Sequence, residues 1–323
     1  MSGEPDIAVV VIGRNEGARL VASLASLQGV VSRVVYVDSG STDGSLQVAR
    51  DAGVQVVELD LSIPFTAARA RNAGFAALDP LPEFVQFIDG DCMVEPGWIS
   101  TGSAALIENV DIGIVTGWRS EINPDASVYN ALVDFEWHRP AGDIEACGGD
   151  MMVRASVFEA AGGFNPHVIA AEDDEFCTRV RKANWRVHRL PQRMTLHDAD
   201  MMRFGQWWQR AVRTGHGFAQ VGALHPRYFL RSRQRVWFYG AVLPFAVLLS
   251  LLLSPWLLVP VLGLYLVSYV RTVRGLQAAG LAPTKALHQS MFLSLSKFPN
   301  LVGMLTYYWR ALRGGDMAII EYK

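Results

Sequence analysis

The sequence predicts an α/β domain built on a parallel sheet, followed by a C-terminal region of apolar helices at a membrane. Three observations predict this architecture. Short apolar, strand-like runs alternate with helix-like patterns over the first 120 residues. Residues 1–200 carry 29 acidic and 15 basic side chains, whereas residues 201–323 carry 2 acidic and 14 basic ones. The 34 residues from Trp237 to Val270 contain no charged side chain.

The composition excludes several classes of protein. Half of the 323 residues are hydrophobic, which is too apolar for a disordered chain. The 29 glycines show no three-residue period, and the three cysteines are too widely spaced for a disulfide framework or a zinc site. The segment Met1–Asp6 is polar and lacks a basic start and a cleavage site, so we expect no signal peptide and a cytoplasmic first domain.

The first four strands and three helices are predicted from their apolar patterns. This βαβαβαβ order is typical of a parallel sheet that is covered by helices on both faces and binds ligands at the carboxyl ends of its strands. Asp38 and Asp89 each follow such a strand. The predicted strands are Ile7–Ile12, Val34–Val37, Val54–Leu59 and Phe84–Ile88, and the predicted helices are Gly17–Leu27, Ser45–Asp51 and Phe65–Leu78.

Residues 110–200 have a less regular pattern. A strand is predicted over Ile112–Trp118, and a helix that begins with four acidic residues over Glu172–Ala183. Trp185–Leu190 is predicted to be the last strand of the domain, with His197 after it.

The uncharged run Trp237–Val270 is too long for one straight span, because a helix of 34 residues would measure about 50 Å against a hydrocarbon core of about 30 Å. Ser254 and Pro255 lie near its middle, and arginines such as Arg235 and Arg271 flank both ends. The positive-inside rule then places both ends on the cytoplasmic side. We therefore predict a hairpin, made either of two short spans or of a re-entrant pair.

The segment Asp89-Gly-Asp91 predicts a metal site. It follows an apolar strand directly, and the glycine between the carboxylates lets both of them reach one cation. Oxygen ligands suit Mg²⁺ or Mn²⁺, which also bind phosphate groups of a substrate. An ordinary polar turn is the alternative interpretation.

Three further groups of side chains could take part in chemistry. Asp38, at the end of a strand, could accept hydrogen bonds from a base or a ribose. Arg71, near the start of a helix, could pair with a phosphate or stack on a base. The acidic run Glu172–Glu175 could supply a general base, because neighbouring carboxylates raise one another's pKa values. For the acidic run, a cluster that caps its helix is the alternative.

Taken together, these segments resemble the family 2 glycosyltransferases, which have the GT-A fold. The matching motifs cover roughly residues 6–190. They are Arg14-Asn-Glu16, Val37-Asp-Ser-Gly-Ser-Thr-Asp43, Ala70-Arg-Asn-Ala-Gly74, Asp89-Gly-Asp91, Gly148-Gly-Asp-Met-Met-Val-Arg154, Gly162-Gly-Phe164 and Glu172-Asp173. The second Asp of the family's nucleotide loop is Ser39 here, and the Gln-x-x-Arg-Trp motif of processive synthases is absent.

The resemblance implies a role for each matching residue. The catalytic residues are Asp173, as the base that deprotonates the acceptor hydroxyl, and Glu172. The metal, Mn²⁺ or Mg²⁺, is bound by Asp91 with Asp89, and the wider GT-A fold adds His197 as a candidate ligand. The substrate-binding residues are Asn15, Glu16, Asp38, Arg71, Asp89, Gly149 and Asp150, of which Asp38 contacts the base, Arg71 the nucleotide and Asp89 the sugar or ribose.

These inferences divide the chain into a GT-A catalytic domain over residues 1–200, a basic amphipathic linker over residues 201–235 and membrane-associated helices over residues 236–323. The last part comprises the hairpin at 237–270 and a third apolar helix at about 286–312. Its Tyr307-Tyr308-Trp309-Arg310 end is typical of an interfacial segment or a further span.

The predicted function is an inverting transfer of a sugar from a nucleotide sugar, with UDP as the favoured nucleotide, to a lipid-linked or glycan acceptor at the cytoplasmic membrane. The catalytic domain would face the cytoplasm and serve the synthesis of a surface polysaccharide or glycolipid. We expect no nucleic-acid partner. A sugar nucleotidyltransferase is one alternative, although Gly13-Arg-Asn-Glu-Gly17 is a poor phosphate loop. A non-catalytic membrane scaffold is the other.

Overall fold

The computed structural model of the chain describes residues 5–315 and 317–321. Residues 1–4, on which the expectation about a signal peptide partly rests, lie outside the described residues, as do residues 316, 322 and 323 of the predicted membrane region. The described chain forms two compact units. Unit 1 lies within Met1–Ala126 and Val133–Asp200, and unit 2 lies within Ser127–Leu132 and Met201–Lys323.

The described part of unit 1 contains one nine-stranded sheet, in the order β3-β2-β1-β4-β8-β6-β9-β5, with β7 beside β9. The pairs β1·β2, β1·β4, β2·β3 and β6·β9 are parallel, whereas β8, β5 and β7 pair antiparallel with their neighbours. The strands are β1 (Ile7–Gly13), β2 (Arg33–Asp38), β3 (Gln55–Glu58), β4 (Phe84–Asp89), β5 (Cys92–Val94), β6 (Ile112–Glu121), β7 (Gly142–Asp143), β8 (Met151–Arg154) and β9 (Arg186–His197).

Helices cover both faces of this sheet, as the continuous apolar strands predict. Val9 and Val11 of β1 belong to one buried cluster, and Ala8 and Val10 belong to a second cluster on the opposite face. The predicted α/β fold is therefore confirmed, and β1 to β4 pair in parallel as expected, although β5, β7 and β8 make the sheet a mixed one. The helices are α1 (Ala18–Ala25), α2 (Ser45–Asp51), α3 (Ala67–Ala76), α4 (Trp98–Glu108), α5 (Val128–Trp137), α6 (Ala155–Ala160) and α7 (Glu172–Lys182), and the boundary between the units falls within α5.

The prediction that the last strand ends at Leu190 is wrong, because β9 continues to His197. Pro191 lacks an N–H and breaks the local pattern from which a strand is recognised. The structure absorbs this break with shifts of the β6·β9 register, which then resumes and pairs Glu121 with His197. The neighbouring strands β6 and β5 hold the second half of β9, and a local sequence pattern does not reveal such pairing.

Unit 2 is helical in its described part. Its helices beyond α5 are α8 (Phe204–Leu224), α9 (Leu230–Trp237), α10 (Leu243–Leu253), α11 (Leu258–Ala278), α12 (Pro283–Leu295) and α13 (Lys297–Leu312). The segment predicted as a linker, residues 201–235, thus contains α8 and most of α9.

Two helices of the described chain are long and apolar enough to cross a membrane, Leu230–Leu253 and Pro255–Ala278. The first runs through a π-helical turn at Phe238–Val242, which ends two residues before Pro244. Proline cannot donate to the carbonyl four residues earlier, and a widened turn is one way for a helix to continue past it. Ser254, in an extended conformation, separates the two helices at the predicted position.

The third apolar stretch, predicted as one helix over about 286–312, forms two helices in the structure. α12 ends at Leu295 and α13 begins at Lys297, with Ser296 between them. Pro299 explains the break. It lacks the N–H that would bond to Leu295, so it is best tolerated in the first turn of a new helix.

Candidate active site

Two of the predicted site residues lie where parallel strands end. Asp38 is the last residue of β2 and pairs with Gly13 of β1, and Asp89 is the last residue of β4 and pairs with Ile12. The two aspartates therefore flank the carboxyl end of β1. This is the edge at which α/β sheets bind ligands.

Asp38 holds the loop that follows it. Its Oδ2 accepts hydrogen bonds from the backbone N–H groups of Gly40 at 2.8 Å and Ser41 at 2.7 Å. Its Oδ1 accepts a hydrogen bond from the Tyr36 hydroxyl at 3.0 Å. Burial and the Asp38 carboxylate raise the pKa of Tyr36, so the hydroxyl stays protonated and donates. Asp38 thus shapes the loop that the resemblance assigns to the nucleotide.

Asn15 connects the loop after β1 to the same loop. Its backbone is left-handed, with φ of 57°, and its Oδ1 accepts a hydrogen bond from the Thr42 N–H at 2.7 Å. Its own N–H donates to the Ser41 hydroxyl at 2.9 Å. Glu16 pairs instead with Arg19, at 3.0 Å. Asn15 therefore joins two loops, and Glu16 is paired with the first turn of α1.

Arg71 lies between two acidic residues that the sequence also singles out. Its Nη2 donates to Asp89 Oδ1 and its Nη1 to Glu172 Oε1, both at 2.7 Å. Burial alone would lower the pKa of this guanidinium, but Asp89 and Glu172 together raise it above its usual value. Arg71 is buried, at 2% exposure, and its guanidinium contacts these two carboxylates. It therefore links the end of β4 to the start of α7.

Gly149 makes room for this arginine. A Cβ atom at position 149 would lie 1.9 Å from Arg71 Nη2, which is too close for any side chain. The role of Gly149 in binding substrate stays a prediction. The geometry supports a packing role against the guanidinium.

Arg119 links Asp89 to Asp150, and the sequence analysis did not single it out. Its Nη2 lies 2.7 Å from Asp150 Oδ1 and 3.1 Å from Asp89 Oδ2, and its Nε donates to Asp150 Oδ2 at 3.0 Å. Thr195 donates to the same Asp150 oxygen at 2.7 Å. Asp150 is only 1% exposed, and its carboxylate positions Arg119, while its contact with substrate stays a prediction.

The His197 side chain lies next to Asp91, which is in the turn between β4 and β5. The His197 Nε2 lies 3.3 Å from Asp91 Oδ2, and its Nδ1 lies 3.4 Å from Glu121 Oε2. Burial lowers the pKa of the His197 imidazole, which favours the neutral ring that a metal ligand must have. The structure thus brings together two of the three predicted metal ligands.

The donor set at Asp91 and His197 fits a divalent cation. Neighbouring ligands of an octahedral Mg²⁺ with bonds of about 2.1 Å are about 3 Å apart, close to the 3.3 Å between Asp91 Oδ2 and His197 Nε2. Cys92 lies within 4.8 Å of both. Burial raises the pKa of its thiol, and a protonated thiol is a poor ligand for a hard cation.

Asp89 lies in a separate group with Cys92 and Asp150, and its two oxygens face Arg71 and Arg119.

Asp173 lies in the first turn of α7, beside Glu172. Its side chain is half-buried, and its Oδ1 accepts a hydrogen bond from the Asp174 N–H at 2.9 Å. Burial, reinforced by the Glu172 and Asp174 carboxylates, raises the pKa of Asp173 well above its ordinary value. A carboxylate with a raised pKa is a stronger base, as proton abstraction from a hydroxyl requires.

The described site therefore consists of a chain of five charged side chains beside a carboxylate–imidazole pair. The chain is Asp150–Arg119–Asp89–Arg71–Glu172, and the pair is Asp91–His197. Sequence reasoning missed Arg119 and Glu121. One feature of the sequence could have indicated them. Two charged residues, spaced so that they share one face, end a strand that is otherwise largely buried.

The chain resembles known glycosyltransferases in sequence. The family model described as "Glycosyl transferase family 2" matches residues 8–147, and "N-terminal domain of galactosyltransferase" matches residues 128–203. The pre-mycofactocin glycosyltransferase of Mycobacterium tuberculosis is 27% identical over 239 residues, which are 68% of this chain and 48% of that protein. Glycosyltransferase AglE of Haloferax volcanii is 23% identical over 233 residues, which are 68% of this chain and 75% of that protein. The chain thus spans about half the length of the mycobacterial relative.

The fold resembles that of a solved glycosyltransferase as well. The mannosyltransferase PcManGT from Pyrobaculum calidifontis, solved in complex with GDP-Man and Mn²⁺, has a TM-score of 0.61. The match covers 95% of this chain and 88% of that one, at 18% sequence identity. At this identity the likeness is one of fold, and it confirms the predicted GT-A-like architecture.

The Arg119 contacts predict a large loss of stability when the guanidinium is removed. Arg119→Gln would leave the buried Asp150 carboxylate without its charged partner, and breaking such a pair costs about 3–5 kcal/mol. We expect a decrease of that size in the free energy of unfolding, measured by urea denaturation of the detergent-solubilised chain.

Arg50→Gln is the matched control for Arg119→Gln. Arg50 pairs with Glu58 at 2.6 Å, but both side chains are more than half exposed. Exposed pairs of this kind contribute about 1 kcal/mol or less. Equal stability of the two variants would contradict the assignment of Arg119 as the buried link.

Proposed function

We propose that the part of the chain matched by the glycosyltransferase family 2 model transfers a sugar from a nucleoside diphosphate sugar to an acceptor hydroxyl, with inversion at the anomeric carbon. The observation that carries the proposal is the meeting of the Asp91–His197 pair and the Asp89–Arg71–Glu172 chain in one domain. A cation site and a base-bearing helix are the two parts that such a transfer needs.

The donor would lie at the carboxyl end of β1. The loop that Asp38 and Asn15 hold rigid would contact the nucleoside, and Asp89 would face the ribose or the sugar while two arginines fix its carboxylate. UDP-sugars are the favoured donors, from the resemblance of the loop to that of the family. GDP-mannose is the second donor to test, because the archaeal mannosyltransferase was solved with it.

Asp91 and His197 would hold a divalent cation, Mn²⁺ or Mg²⁺. A bound cation would offset the negative charge that develops on the diphosphate leaving group. The protein supplies the two ligands, a neutral imidazole and a buried environment. The close approach of Asp91 Oδ2 to His197 Nε2 supports this assignment.

Asp173 would act as the general base. Its raised pKa makes it a better proton acceptor than an ordinary aspartate, and direct attack by the deprotonated hydroxyl on the anomeric carbon inverts its configuration. Glu172 would support it indirectly, because its Oε1 accepts a hydrogen bond from Arg71 and fixes the first turn of α7.

The acceptor would be a lipid-linked or glycan hydroxyl at the cytoplasmic face of a membrane, in the synthesis of a surface polysaccharide or glycolipid. Two observations support this. The helices Leu230–Leu253 and Pro255–Ala278 are apolar and mostly exposed. No Asp or Glu occurs from residue 201 to residue 315, where basic residues are frequent, as at an anionic membrane surface.

A donor screen tests the proposal directly. Full-length protein in detergent should bind or slowly hydrolyse one class of nucleotide sugar in the presence of Mn²⁺ or Mg²⁺, and Asp91→Ala should abolish the cation-dependent part of this binding. Isothermal titration with UDP-sugars and GDP-mannose measures it. Undiminished donor binding and transfer in excess EDTA would contradict the assignment of the metal site.

Asp173→Asn tests the role of Asp173 as the general base. Asparagine keeps the shape and the hydrogen bond to Asp174 but removes the proton acceptor, so kcat should fall by about 10² or more with donor affinity nearly unchanged. The acid limb of the wild-type kcat profile should have its midpoint above the usual aspartate pKa of about 3.9.

The raised pKa of Asp173 also fixes the sign of the stability change. The ionised carboxylate is disfavoured in the folded state relative to the unfolded one, and this penalty is present in full above the folded pKa. Asp173→Asn should therefore raise the unfolding temperature at pH 8, and the gain should disappear as the pH falls below the folded pKa. A variant with normal turnover would move the role of base to Asp174 or Glu172.

The predicted hairpin can be tested by cysteine labelling in sealed vesicles. Arg235→Cys and Arg271→Cys should react with a membrane-impermeant reagent from the same side, and the parent chain should react little because Cys92, Cys147 and Cys177 are buried. Labelling from opposite sides would contradict the hairpin.

High salt should not release the protein from membranes, since salt screens charges but does not weaken the burial of apolar surface. Release by salt alone would contradict insertion.

A further inference from the structure

A buried carboxylate, Glu121, lies behind the His197 ring. Its side chain is 0% exposed, and neither the sequence motifs nor the matching families assign it a role. It ends β6, and the carboxylate lies in the interior of unit 1. A buried ionised carboxylate is costly unless it is hydrogen-bonded, so its partners indicate what it does.

Backbone pairing brings Glu121 next to His197. In the parallel β6·β9 pair Glu121 is in register with His197, and in the antiparallel β5·β9 pair Cys92 is in register with the same histidine. β9 thus lies between the strand that carries Glu121 and the strand that follows Asp91. The sheet therefore places Glu121, His197 and Cys92 in one row, and Asp91 lies in the turn directly before Cys92.

The hydrogen bonds of Glu121 are directed at the histidine and at the chain just beyond it. Its Oε2 lies 3.4 Å from His197 Nδ1 and accepts a hydrogen bond from the Ala199 N–H at 3.0 Å. Its Oε1 accepts a hydrogen bond from the Asn123 N–H at 3.3 Å. The edge of Trp137 packs on the imidazole with ring centroids 4.8 Å apart, which restricts the ring further.

This arrangement determines which nitrogen of His197 carries the hydrogen. An ionised carboxylate can only accept hydrogen bonds, so the hydrogen lies on Nδ1, and the Nε2 lone pair points towards Asp91. Metal-binding histidines have this pattern, in which the second ring nitrogen donates to a carboxylate that fixes the ring and increases its basicity.

We propose that Glu121 is the positioning residue of the cation site, holding His197 in the tautomer and orientation in which Nε2 and Asp91 Oδ2 bind one divalent cation. The proposal rests on the metal site of the proposed function. It adds a residue that does not touch the cation and acts through His197. Loss of such a partner typically lowers metal affinity 10–100-fold.

The test measures Mn²⁺ affinity without donor or acceptor. Mn²⁺ is titrated into full-length protein in detergent, and free Mn²⁺ is followed by electron paramagnetic resonance. Glu121→Gln places an amide NH₂ where either the imidazole or a backbone N–H needs an acceptor, so its affinity should fall 10–100-fold. His197→Ala should lose at least as much, and Glu121→Asp, which keeps the charge, should lose less than Glu121→Gln.

Glu175→Gln is the matched control. Glu175 is also buried, at 3% exposure, and pairs with Arg179 on its own helix at 2.7 Å. The substitution removes a buried carboxylate elsewhere in the same unit, so the Mn²⁺ affinity of this variant should stay within about twofold of wild type. Thermal unfolding of every variant separates loss of folded protein from loss of affinity.

A second measurement uses the unchanged protein. In ¹⁵N-histidine-labelled chain with Mg²⁺, the His197 signals, assigned by their loss in His197→Ala, should show a protonated Nδ1 and an unprotonated Nε2. A protonated Nε2 would overturn the proposal, even where Glu121→Gln does not fold.

The outcomes distinguish this proposal from the proposed function. If His197→Ala loses Mn²⁺ binding while Glu121→Gln binds as wild type does, the role of Glu121 is refuted and the metal site stands. If wild-type protein itself does not bind Mn²⁺, the metal site of the proposed function fails, and the positioning role fails with it.

Discussion

The buried ion pair of Arg119 with Asp150 is the contact on which the rest of the site depends. Asp150 is 1% exposed and lies next to the end of β4, where it also accepts a hydrogen bond from the backbone N–H of Asp89. A carboxylate in that position would be untenable without a cation, and Arg119 provides one. The same guanidinium then reaches Asp89, and Asp89 reaches Arg71. Each arginine is shared by two carboxylates, so no member of the chain can move independently.

The charges of these five linked side chains do not cancel. Three carboxylates share two guanidinium groups, so the cluster carries a net negative charge before any substrate binds. A nucleoside diphosphate is also negative, and the two would repel in a partly buried site. A divalent cation at Asp91 and His197 would remove this conflict, which is a physical reason for placing a cation ligand beside an acidic cluster.

The sequence allowed the local parts of this site to be predicted, and the fold supplied what depends on distant strands. Asp38 and Asp89 could be placed because each follows a continuous apolar strand, and the sheet confirms both positions. Arg119 and Glu121 could not, because their partners come from β4, β8 and β9, and strand order in a sheet does not follow from local periodicity. His197 was found only through the family resemblance, since Pro191 conceals the strand that carries it. In unit 2, the break at Ser254 was visible in the sequence, whereas the break at Ser296, which Pro299 causes, was not predicted.

Strand pairing gives the cation site a rigidity that loops alone would not. Asp91 lies in the turn between β4 and β5, where a loop residue could adopt many positions, but His197 is held from both sides by β5 and β6. A cation that binds both therefore fixes the turn relative to the sheet, and the ordering entropy is smaller than for two loop residues because one ligand is already placed. Asp89 precedes that turn and Asp91 ends it, so order imposed at Asp91 is transmitted to the carboxylate that the donor would meet. Under the proposed function, cation binding and donor binding would thus be coupled through three residues of backbone, and we expect the donor to bind more weakly when the cation is absent.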